Sequence, residues 1–111
     1  MKKLRAYISG PISGLDFQER VEAFKRAQIF LEGLGFEVFN PMENGLPANS
    51  STHAHMHRDL SELTNEEHPY HVIYMLRRWT HSKGCKVEFD VATAIGMEVY
   101  FEESQPIIKF A

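Results

Sequence analysis

Residues 4–39 carry one full cycle of strand, helix and strand, and that cycle constrains the fold more than any other feature of the chain. Leu4-Arg5-Ala6-Tyr7-Ile8 is short, partly apolar and β-prone, and it stops at Ser9-Gly10-Pro11, where glycine and proline favour a loop. From Asp16 onward Phe17, Val21, Phe24, Ala27, Leu31 and Leu34 recur at steps of three and four, while Glu19, Arg20, Glu22 and Lys25 fall mostly off that stripe. Gly33 and Gly35 end this helix. Phe36-Glu37-Val38-Phe39 then reads as a second strand, broken by Asn40-Pro41. Neighbouring strands joined through a helix run parallel, with a right-handed crossover.

The alternation continues. A polar loop leads to a short helix over residues 53–63, with Met56, Leu60 and Leu63 at helical spacing and Ser51 or Thr52 as its N-cap. Tyr70-His71-Val72-Ile73-Tyr74-Met75-Leu76 is the most strand-like run, apolar enough to be buried on both faces, and belongs at the centre of a sheet. A helix over residues 83–95 places Val87, Val91, Ala94 and Ile95 on one face before Gly96 stops it, and residues 97–101 and 106–110 supply two last strands. The expected fold is a single α/β domain over residues 1–111. It is a flavodoxin-like or Rossmann-like three-layer sandwich, with helices on both faces of a five-stranded parallel sheet of order 2-1-3-4-5.

A chain of 111 residues can bury a core without metal or disulfide staples. No apolar run is long enough to span a bilayer, and Arg5, Ser9, Gly10 and Pro11 interrupt the only stretch that resembles a signal peptide. The single cysteine, Cys85, forms no internal disulfide, so the expected compartment is the cytoplasm. Net charge is −3 and the basic residues are scattered, which argues for a small-molecule partner and against a nucleic-acid polymer.

In an open parallel sheet, ligands bind beyond the carboxyl ends of the strands where the strand order reverses, here between strands one and three. The loop from Ser9 to Gly14 and the segment from Trp79 to Gly84 converge there. Glu88 lies in the second turn of the third helix, and because helical side chains lean toward the N-terminus its carboxylate can point back at this edge. The helix dipole there favours its ionised form. Asp59 is in a helix approached from the same end, and Tyr7 can offer its hydroxyl to either acid. Taken singly, a helical glutamate is usually solvated, an aspartate beside Arg58 is usually a surface pair and a strand tyrosine is usually core. Their joint placement points to a site.

The series Tyr7-Ile8-Ser9-Gly10-Pro11-Ile12-Ser13-Gly14, Phe39-Asn40-Pro41, His57-Arg58-Asp59-Leu60 and Ser82-Lys83-Gly84-Cys85-Lys86-Val87-Glu88, followed by residues 92–96, resembles the nucleoside 2-deoxyribosyltransferase-like superfamily in order along nearly the whole chain. The likeness is greatest to small bacterial and phage members with a Tyr-Ile-x-Gly-Pro opening, and more distant to the 2'-deoxynucleoside 5'-monophosphate N-glycosidases. The resemblance implies that Glu88 is the nucleophile at the sugar's anomeric carbon, that Asp59 is the acid on the base side and that Tyr7 orients the nucleophile. Ser9, Gly10, Gly14, Ser82 and Gly84 would contact the ligand through backbone N–H groups and hydroxyls. The implied reaction is N-glycosidic cleavage or glycosyl transfer on a nucleoside or nucleotide, without a cofactor, in a homodimer or larger assembly whose pockets borrow residues from a neighbour. Where the monophosphate glycosidases carry a serine and an arginine for phosphate, this chain has Pro11 and Ser13. Where the superfamily usually has an aspartate before the third strand, it has Tyr70 and His71.

A non-catalytic nucleotide-binding module of the same fold is the competing expectation, since fold alone does not assign function. On a strand His53, His55 and His57 would share one face, as metal ligands require. On the expected helix only His53 and His57 do, so no metal is expected. Cys85 reads as a small packing residue, and Arg77, Arg78 and Lys83 are available to an anionic ligand, though solvated surface is their commoner role. Trp79 would stack on a base or plug the sheet edge.

Overall fold

A computed structural model describes residues 3–102 and shows a parallel sheet with helices on both faces. In chain order it contains β1 (Arg5–Ser9), α1 (Phe17–Gly33), β2 (Glu37–Phe39), α2 (Thr52–Leu63), β3 (Val72–Met75), α3 (Lys83–Ala94) and β4 (Glu98–Phe101), with short 3-10 turns at Pro41–Glu43 and Trp79–His81. The sheet order is β2-β1-β3-β4, with Tyr7 opposite Phe39 on one side and Ile73 on the other. This corrects the expected five strands to four among the described residues; the segment 106–110, read as a fifth, lies outside them.

The helices start on side-chain caps. Asp16 accepts from the Glu19 N–H, Ser51 from Ala54 and Ser82 from Cys85, each satisfying an N–H that the first helical turn leaves unpaired. After α1 and α3 the chain turns through Gly35 and Gly96, at φ 101° and 88°, a backbone region that side chains with a Cβ disfavour.

Strand period divides the core into two layers. Ala6 and Ile8 of β1 with Val72 and Tyr74 of β3 face α1, where they pack on Phe24, Ala27 and Leu31. Tyr7, Ile73 and Met75 face the other way and pack against Leu63 of α2 and Cys85 and Ala92 of α3. All four residues of β3 are buried, as its unbroken apolar run requires of a central parallel strand. Among the described residues no helix is long and apolar enough to cross a membrane.

Candidate active site

A cleft of about 630 Å³ opens beyond the carboxyl ends of β1 and β3, where the strand order reverses. Gly10 and Ser13 line it from the loop after β1, His55 and Asp59 from α2, and Ser82, Gly84 and Glu88 from the start of α3. The loop after β1 can lie this low because residue 10 has no side chain: a Cβ there would stand 2.6 Å from Leu76 Cδ1.

Glu88 is 7% exposed and held from beneath by β1. Tyr7 and Ser9, two apart on the strand, point to the same face, toward α3. The Tyr7 hydroxyl donates to Glu88 Oε2 at 2.7 Å and the Ser9 hydroxyl to Oε1 at 2.6 Å. The Tyr7 ring is fixed by stacking on Phe39 and by an edge contact with Tyr70, at centroid distances of 5.3 and 5.9 Å. Burial pushes the Glu88 carboxyl up to about 7, with the Ser9 and Tyr7 hydrogen bonds opposing and the charge of Asp59 adding to the rise. The helix dipole was expected to keep this group ionised; withdrawal from water outweighs it. Burial, reinforced by the charges of Glu88 and Asp59, raises the Tyr7 phenol well above its ordinary value, so it remains a donor.

Asp59 faces the same cleft from α2. Burial raises its carboxyl too, against a hydrogen bond from Asn44 and the nearby His55 and Arg58. Asn44, from the loop that follows β2, is itself buried. Its Nδ2 donates to Asp59 Oδ1 at 2.9 Å and meets His55 Nδ1 at 3.1 Å, while its Oδ1 accepts the Leu46 N–H at 3.0 Å. Arg58 Nε binds the Asn44 carbonyl at 3.1 Å, so α2 holds this loop by both backbone and side chain.

The fold thus brings Tyr7, Ser9 and Glu88 into direct contact, and of the acids Glu88 and Asp59 both line the cleft, whereas Tyr7 and Ser9 are buried beneath it. Gly10, Ser82 and Gly84 also line the cleft. Ser9 is fully buried against Glu88. Gly14, at φ 79°, forms the turn into α1 and is not among the lining residues, and the Ser82 hydroxyl caps α3.

A family model described as "Domain of unknown function (DUF4406)" matches residues 4–101, a span that takes in the whole sheet and every residue of this cleft. The chain belongs to that family. No curated protein and no solved structure matches it.

In this DUF4406 domain sequence reasoning missed His55, which lines the cleft, and Asn44, which is buried behind it and contacts both His55 and Asp59. Asn44 lies in Pro41-Met42-Glu43-Asn44-Gly45, whose composition signals only a turn. His55 was weighed only as one of three alternating histidines, and α2 being helical removes that alternation. Among the described residues no cluster of three metal-binding side chains forms. Cys85 is buried and burial raises its thiol, which suits packing over nucleophilic attack. Arg78 and Lys83 line the cleft, whereas the Arg77 N–H is bonded to Glu102. Trp79 stacks on Phe89 at 4.8 Å and lies near Phe101, closing the flank of the sheet beside β4.

Proposed function

We propose that this domain cleaves the N-glycosidic bond of a nucleoside or nucleotide, or transfers the glycosyl group, through a covalent intermediate at Glu88. The observation that carries the reading is a buried carboxylate gripped at both oxygens by Tyr7 and Ser9, at the wall of an open cleft shared with a second buried acid, Asp59. The order of motifs along the chain, which resembles the nucleoside 2-deoxyribosyltransferase-like superfamily, supports it.

Each residue then has a task. The ionised Glu88 attacks the anomeric carbon as the carbon–nitrogen bond breaks, and Asp59 passes its proton to the departing base. Water, deprotonated by Asp59, next attacks the same carbon and releases Glu88, or a second base takes water's place. Tyr7 and Ser9 act through Glu88: their hydroxyls fix its rotamer and offset part of the cost of holding a charge out of water. Burial suits Asp59 to the acid role by raising its carboxyl, whereas at Glu88 it disfavours the charged nucleophile, an effect that the Tyr7 and Ser9 hydrogen bonds oppose.

The reading includes a homo-oligomer. Leu15 and Val87 stand at the cleft wall 42% and 43% exposed, apolar surface that a second copy can cover. Light scattering on the purified protein checks this, and a monomer at all concentrations counts against it.

The test of function is chromatographic detection of free base from a panel of nucleosides and 5'-monophosphates, with wild type and Glu88→Ala side by side. Release by wild type alone supports the glycosidase. No release from any substrate, even with an acceptor base present, favours a nucleotide-binding module.

A further inference from the structure

The contacts of Asn44 determine more than a loop position. Its Oδ1 is taken by the Leu46 backbone N–H, which fixes the amide's orientation and leaves the two Nδ2 hydrogens for Asp59 Oδ1 and His55 Nδ1. An imidazole that accepts at Nδ1 carries its proton on Nε2. A carboxyl whose Oδ1 accepts from an amide carries any proton on Oδ2. His55 and Asp59 are one helical turn apart, share one face of α2, and both line the cleft. When Asp59 is protonated, the pair therefore offers two donors, Nε2–H and Oδ2–H, held by one buried amide.

We propose that His55 and Asp59, clamped by Asn44, form a two-donor edge that recognises a nucleobase through two adjacent acceptors, a proposal that rests on the glycosidase reading of this cleft. The N7/O6 edge of a 6-oxopurine has that pattern, and so has the N3/O2 edge of cytosine. Adenine instead sets an amino donor beside N7, and uracil sets an N–H beside each carbonyl. A site built to donate twice leaves one donor facing another donor in those bases, and a buried unpaired donor is what makes such sites selective. Asn44 is the positioning residue and His55 the specificity residue; Asp59 keeps its role as acid.

The test does not need turnover. Calorimetric titration of wild-type protein with 9-methylhypoxanthine, 1-methylcytosine, 9-methyladenine and 1-methyluracil, whose methyl groups stand in for the sugar, should show the first two binding about tenfold tighter, the worth of roughly one hydrogen bond. His55→Phe, which keeps a ring and removes the donor, should bring that ratio close to one. Comparing the first two bases tells oxopurine from cytosine. Long-range proton–nitrogen spectra should show the His55 proton on Nε2 in wild type and on Nδ1 in Asn44→Asp, a variant that preserves the acceptor for Leu46 and so the turn. Equal affinities for all four bases, binding of none, a ratio that survives His55→Phe, or a wild-type proton on Nδ1 each overturns the proposal. Base discrimination without base release defeats the glycosidase reading and leaves the recognition edge standing; release without discrimination does the reverse.

Discussion

Two glutamates in this domain each receive a tyrosine hydroxyl, and their environments drive them in opposite directions. Toward the amino end of the sheet, Glu62 of α2 accepts from Tyr70 at 2.5 Å and from Arg58 at 2.9 Å, with Arg5 at 3.4 Å. Arg5 in turn lies 4.2 Å over the Tyr70 ring and donates to the His68 carbonyl. Burial pushes Glu62 up, but the Tyr70 hydrogen bond and the two guanidiniums outweigh it and hold the carboxyl below its ordinary value. At the carboxyl end Glu88 has two hydroxyls and no arginine, and it is pushed up to about 7. Two differences separate them: Glu62 is only half-buried and has two cations beside it, whereas Glu88 is buried and has hydroxyls alone. The first arrangement stabilises the fold, whereas the second holds a carboxylate in reserve at the cost of stability, as functional sites do.

The largest expected effect is on turnover. Glu88→Gln retains the shape of the side chain and removes the nucleophile, so base release should fall by about 10⁴ or more. Glu62→Gln, at the far end of α2, should release base at close to the wild-type rate. Initial rates for the two variants, normalised to folded protein, decide this, and a Glu88→Gln enzyme within tenfold of wild type would exclude Glu88 as the nucleophile.

Stability should respond in the reverse sense. Glu62→Gln removes the counter-charge of Arg58 and one of the two beside Arg5, which keeps Glu37, and should cost about 1 kcal/mol. For Glu88 the sign follows from its proton. The folded carboxyl gives it up near 7 and the unfolded one at the ordinary value of 4.5, so between those pH values the folded state binds more protons and stability falls as pH rises. Above that window the wild type bears a penalty of up to about 3 kcal/mol that Glu88→Gln escapes. Urea melts should show Glu88→Gln the more stable protein at pH 8, with the gap closing by pH 4.5. A gap of the same size at both pH values would mean that the effect is packing and not ionisation.

Strand and helix positions were legible because period two and period 3.6 survive in so short a chain. The burial of all of β3 follows from the unbroken run Val72-Ile73-Tyr74-Met75, and Glu88 could be aimed at the cleft from the tilt of helical side chains alone. Period two also places Ser9 beside Tyr7 on the α3 face, although the sequence reading gave Ser9 to the ligand; how far α3 sinks onto β1 decides the matter, and no pattern encodes that depth. Arg5 was legible only as a charge that interrupts a signal-like apolar stretch, since its partners lie 57 and 65 residues away, at Glu62 and Tyr70. Asn44 was the least legible of all, because its contacts depend on a loop folding back beneath α2, and Asn-Gly in a sequence says only that the chain turns.

The smallest effect tests the comparison at a single oxygen. In Tyr7→Phe the Glu88 carboxylate loses one of its two donors while its burial stays the same, so its titration midpoint, followed by carbon NMR of labelled glutamate, should rise above 7. Tyr70→Phe removes the corresponding donor from Glu62, but Arg58 and Arg5 remain, so that carboxyl should move up toward its ordinary value and no further. The Glu88 result can also go the other way. If the protonated Glu88 is the donor and the phenol oxygen the acceptor, removing the phenol destabilises the acid form and the midpoint falls. A falling midpoint would therefore reverse the hydrogen bond drawn here, and with it the view that Tyr7 readies Glu88 to ionise.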